Sequence, residues 1–260
     1  MSSWQDTFRD WALRMPRDGG FSRLALMDID SVPVASVRLI VGMEGAVLVA
    51  ASDSTRAETL AASLTAYLEM LGDPRPIVSI PEAVLNRHNQ WIPENEAARC
   101  AAMERALSGE AAVYVTTAQA LLTPTVPPAV FSDQVFTLRV GDGGLDPEQL
   151  ARRLVSLDYD NEPAVHAPGE FSRRGGILDI YSPACEAPVR IEFFGDEIDT
   201  MRYFDPESQR SFQPVELVRV LPRGESVAGD SHALTSSVHN YFSKEIYAII
   251  CEPAAIADHL

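Results

Sequence analysis

Few residues in this chain could do chemistry, and those few lack partners. The only lysine, Lys244, lies in Phe242-Ser243-Lys244-Glu245 with no glycine ahead of it. A nucleotide-binding P-loop needs G-x-x-x-x-G-K-[ST]. Its glycines let backbone amides cradle phosphates, its lysine reaches the outer phosphates and its hydroxyl holds magnesium. Gly42-Met43-Glu44-Gly45 has glycines but no lysine after them. Asp196, Glu197 and Asp199 could be imagined as magnesium ligands or an acid–base pair. In a strand, 197 and 199 share one face while 196 points away, and no histidine or lysine stands nearby. A solvated acidic edge, which also discourages strand-to-strand aggregation, accounts for them. His88, His166, His232, His239 and His259 show no metal-ligand spacing. His232 and His239 could share a helix face, but a third ligand is missing. Cys100, Cys185 and Cys251 are far apart and odd in number, which fits reduced thiols. There is no G-x-S-x-G elbow and no Cys–His constellation. Ser172, ahead of two arginines, reads as structural. Asp179, between Leu178 and Ile180, reads as the partner of a hydrogen bond or salt bridge, with Arg173 or Arg174 the nearby candidates. No catalytic, cofactor-binding or metal-binding residue is assigned.

The elements that would position a site are clearer. From Gly169 to Ser211, strand-like runs at 169–174, 177–181, 189–194 and 197–204 are separated by Gly175-Gly176, Ser182-Pro183 and Gly195-Asp196. Val189, Ile191 and Phe193 alternate with Arg190, Glu192 and Phe194. The period of two puts the second trio on the face away from the core. A solvent face does not need a phenylalanine. An arginine beside an exposed aromatic is the composition of a binding hot spot.

On either side the pattern differs. Residues 3–15 have the spacing of an amphipathic helix, with Trp4, Phe8, Trp11 and Met15 on one stripe. A helix and turn are expected over 21–41, broken near Pro33. Short apolar strands at 45–51, 77–80 and 111–117 alternate with helices at 55–71, capped by Ser54, and 93–108. A short helical turn follows at 118–122, and a proline-rich joint at 123–128. That alternation indicates βαβ units and a parallel sheet. A strand at 134–140 and a helix at 146–157 open the antiparallel region, and a strand at 215–221 closes it. Helix at 234–242, strand at 246–251 and a terminal helix from 252 restore α/β character. The expected fold class is α/β: a split parallel-sheet domain with an inserted α+β, antiparallel-sheet domain. The expected divisions are an N-terminal helix (1–24), the first part of the α/β domain (25–132), the insert (133–222) and the second part of the α/β domain (223–260).

Composition narrows the function. A net charge of −16 argues against a chain whose surface grips a phosphate backbone. There is no apolar run of about 18 residues and no apolar signal core at the N-terminus, so a cytoplasmic protein is expected.

The run G-E-F-S-R-R-G-G-I-L-D-I, followed by R-I-E-F-F-G-D-E-I-D-T-M-R-Y-F-D-P-E-S-Q-R-S, resembles the small β-rich domain of the UvrB/Mfd family. The Q-R-S ending and the F-F-x-D-E-I-D core are closer to the transcription-repair coupling (Mfd) branch. In that family this domain interrupts a split α/β domain related to helicases. The missing P-loop fits the same branch, which carries a degenerate site here and places its ATP- and magnesium-dependent motor far downstream. The resemblance implies a non-enzymatic module that recruits the damage-recognition ATPase UvrA to stalled RNA polymerase in nucleotide-excision repair. Arg174, Arg190 and Phe194 match the family's UvrA contacts. RNA polymerase and DNA would be engaged by the rest of a longer parent, which could also mask the UvrA surface. The alternative is a UvrB-type helicase-like excision subunit binding ATP and damaged DNA. It would require the missing P-loop lysine and an aromatic DNA-clamping hairpin that the sequence does not display.

Overall fold

The computed structural model describes residues 32–83, 92–225, 234–242 and 246–251. The expected N-terminal and C-terminal helices, Lys244 and His232 fall outside them. The described residues group into two compact units, one drawn from 1–80, 108–120 and 242–260, the other from 81–107 and 121–241.

The first unit is a parallel sheet built from β1 (Val47–Ala51), β2 (Ile77–Ile80), β3 (Val113–Thr117) and β12 (Tyr247–Ile250), in the order β12-β1-β3-β2. Every residue of β1 and β3 is buried. Continuous apolar runs of this kind belong to central strands covered on both faces. Helix α1 (Val32–Val41) and helix α2 (Ser54–Leu71) supply Val37, Ile40, Leu60, Leu64 and Leu68 to the same core. Helix α1 starts at Val32, beside Pro33, where a break was expected; residues 21–31 fall outside the described residues. Pro33 sits in the first turn, where a missing amide hydrogen costs nothing. The cap of α2 is Asp53 rather than Ser54: its carboxylate accepts from Arg56 N at 2.9 Å. Gly72 closes the helix at φ 71°, the left-handed conformation that glycine adopts without strain.

The second unit is centred on a six-stranded sheet in the order β10-β9-β8-β7-β6-β5. Its strands are β5 (Asp160–Asn161), β6 (Glu170–Arg174), β7 (Ile177–Ile180), β8 (Val189–Phe194), β9 (Glu197–Phe204) and β10 (Ser211–Pro214). All pairs are antiparallel except β5–β6. A two-stranded ribbon of β4 (Phe136–Arg139) and β11 (Leu217–Val220) accompanies it. Counting along the chain, helices α3 (Pro93–Leu107), α4 (Ala118–Leu122) and α5 (Pro128–Gln134) precede α6 (Pro147–Ser156). Asp146 caps α6, and its Leu150 and Leu154 join Phe171, Leu178, Ile180, Val189, Ile191, Ile198 and Met201 in one core. At roughly 25 cal/mol per Å² of apolar area, such burial is the main term holding the sheet to the helix.

One expectation fails locally. Residues 234–242 do not form a helix: only a 3₁₀ turn, Val238–Tyr241, is present. The Thr235-Ser236-Ser237 run favours local hydrogen bonding over helix, and Ser236 instead exchanges backbone bonds with Thr125 at 2.9 and 3.1 Å. Helix α5 follows the proline-rich joint, with Pro128 in its first turn.

The end of the ribbon is anchored by a buried ionic cluster. Arg99 on α3 is wholly buried and ion-paired with Glu225, and it donates to Pro81 O at 3.1 Å. Glu96 packs so close to Gly224 that a Cβ there would lie 2.6 Å from its carboxylate oxygen. Burial first, then the charges of Asp158 and Glu225, push the Glu96 carboxyl up to about 7.

Candidate protein-docking face

In an antiparallel pair, residues directly opposite one another share a face. The register of β6 to β9 therefore defines two rows on the side away from the core. One row is Ser172, Asp179, Arg190 and Arg202. The next is Arg174, Ile177, Glu192 and Thr200, and beyond it Phe194 lies opposite Glu197. The sheet thus brings Arg174, Arg190 and Phe194 onto one face. A β-bulge makes this compatible with the core. Glu192 pairs with Thr200 but Phe193 with Ile198, so Asp199 is the extra residue. The slip lets Ile198 and Met201, three apart, both join the same core.

The three residues are not equivalent. Phe194 is 82% exposed, next to the Gly195-Asp196 turn. Arg174 is exposed and donates to Pro163 O. The Arg190 side chain is only 20% exposed. Its Nε and Nη2 each donate to Asp179 at 2.8 Å, and Nη1 donates to Gln209 O at 3.2 Å. Its guanidinium carbon lies 4.7 Å from the centre of the buried Phe204 ring. The hydrogen bonds that Arg190 donates to Asp179 raise the arginine above its usual value, so it stays charged.

The partner of Asp179 is therefore Arg190, not Arg173 or Arg174. Position 179 lies directly across from 190 on the neighbouring strand, and a planar fork meets a carboxylate best there. Ser172 is buried and donates to Pro163 O. The turn after β9 completes the cradle. Asp205 accepts from Ser208 N at 2.7 Å, and Gln209 takes φ 58° and donates to Val165 O at 3.1 Å. Sequence reasoning missed Gln209 and Phe204. Their only signal was the D-P-E-S-Q-R turn itself, rich in residues that bond their own backbone. Elsewhere, Arg219 pairs with Glu104 at 2.8 Å. Among the described residues no three His, Cys, Asp or Glu side chains come together to hold a metal ion, and no helix is long and apolar enough to cross a membrane.

Residues 136–225 match the family described as the UvrB interaction domain. Over longer stretches the chain is similar to proteins named transcription-repair-coupling factor. It is 38% identical to that of Bacillus subtilis over 135 residues (52% of this chain, 11% of the relative). It is 35% identical to that of Myxococcus xanthus over 186 residues (69% and 15%). It is 33% identical to that of Mycobacterium bovis over 203 residues (73% and 16%). The chain thus spans well under a fifth of the length of these relatives. The family match falls on the antiparallel unit, and the longer similarities are all to transcription-repair-coupling factors.

Proposed function

We propose that this chain is an adaptor that recruits UvrA through the outer face of its antiparallel sheet. In a transcription-repair-coupling protein it would link RNA polymerase stalled at a lesion to excision repair. It performs no bond chemistry itself. ATP, magnesium, DNA and RNA polymerase belong to other parts of a longer parent. The observation that carries this reading is Phe194, a large aromatic 82% exposed within a domain matching a repair-interaction family. Exposed aromatics flanked by arginine are the usual anchors of protein interfaces. The functional insert in this reading is 133–222.

Binding of UvrA to the purified chain tests it. Phe194→Ala and Arg174→Ala should each weaken binding about tenfold or more, since such anchors cost ~2 kcal/mol when truncated. Circular dichroism should be unchanged, because both side chains face solvent. Undiminished binding by the double variant would sink the assignment.

A further inference from the structure

Arg190 on β8 and Arg202 on β9 lie directly opposite each other. Like charges in that position repel and weaken the strand pair. Only one of the two is neutralised. Arg190 has Asp179 on two N–H groups, the Gln209 carbonyl on a third and the Phe204 ring beneath. Arg202 is exposed and meets no carboxylate, carbonyl or ring among the described residues. A sheet selected for stability alone would carry an acid or a threonine at 202. A charge left unpaired against a second cation, on the face that also presents Ile177 and Phe194, is free for an anion from outside.

We propose that Arg202 is the partner-facing cation of this face, and that Arg190 is the fixed strut beside it. Arg202 would donate in bidentate fashion to a carboxylate of the docking protein, while Phe194 and Ile177 fill an adjacent apolar hollow. A protein carboxylate fits better than a nucleic-acid phosphate: two exposed apolar side chains need an apolar counterpart, which a phosphate backbone lacks. The proposal rests on the recruitment reading above and adds to it a contact outside the Arg174–Arg190–Phe194 set.

The test compares Arg202→Ala, Arg202→Lys and Arg202→Glu with the parent chain in UvrA binding and thermal unfolding. Arg202→Ala should bind at least tenfold more weakly and Arg202→Glu more weakly still. Arg202→Lys should fall between alanine and parent. The melting temperature of Arg202→Ala should equal or exceed that of the parent, because the repulsion from Arg190 is gone. Alanine binding within twofold of a parent that does bind, with Phe194→Ala impaired, overturns the Arg202 role and leaves the recruitment reading standing. A melting temperature several degrees lower overturns it too, by making Arg202 part of the sheet's framework. A parent that binds no UvrA removes both readings. A parent that instead shifts duplex DNA in an Arg202-dependent manner overturns the carboxylate assignment.

Discussion

Arg190 is the residue at which face and role part company. The alternation of β8 was enough to put it on the outer face with Phe194. What it could not supply was the cross-strand partner, because register depends on where the neighbouring strand starts. Once Asp179 is known to be 3% exposed and doubly bonded to Arg190, the effect of Arg190→Ala changes character. It strands a buried carboxylate, so the variant should lose about 1–3 kcal/mol in urea unfolding as well as partner affinity. Phe194→Ala should lose affinity alone. Equal stability of the two variants would contradict this division. Glu96 makes a separate residue-scale prediction. Its carboxyl is raised from the ordinary 4.5 to about 7, so the folded chain holds a proton there that the unfolded chain has released. Stability contributed by that proton is present below the ordinary value and falls as pH rises through the window up to about 7. Burial moves Glu225 in the same direction, against the pull of Arg99. Glu96→Gln should flatten the fall in urea midpoint across that window. An unchanged slope would mean that other groups titrate.

At the scale of elements, the β-rich stretch was legible because its turns are written in glycine and proline and its period is close to two. The boundaries of β8 and β9 coincide with the expected ones. The bulge at Asp199 was not legible, since alternation assumes one partner per residue. Nor was β10, whose four residues are all exposed and so leave no hydrophobic pattern to find. The buried strands β1 and β3 announced themselves as short apolar runs. The region at 234–242 misled because Leu234, Val238 and Tyr241 have helical spacing, while the residues between them favour turns. Helix α2 offers a direct check on capping: Asp53→Ala should cost about 1 kcal/mol, and Ser54→Ala much less. The reverse order would place the cap where the sequence alone suggested it.

At the scale of the molecule, charge and topology set different limits. With a net charge of −16 the chain by itself should give no salt-dependent shift of undamaged duplex DNA near physiological ionic strength. A robust shift would call for a local basic site. The domain match, 136–225, also leaves out structure that its own unit uses: Glu104 pairs with Arg219, and Arg99 with Glu225, from helix α3. Topology reaches further still. β12 lies against β1 across about 200 residues of intervening chain. A ribosome adding ~5–20 residues per second would leave that flank of β1 bare for roughly 10–40 s. Through that interval the nascent polypeptide carries an unzipped seam of unpaired backbone groups along β1. Its yield in cells therefore depends on whatever shields the seam until the late strand emerges.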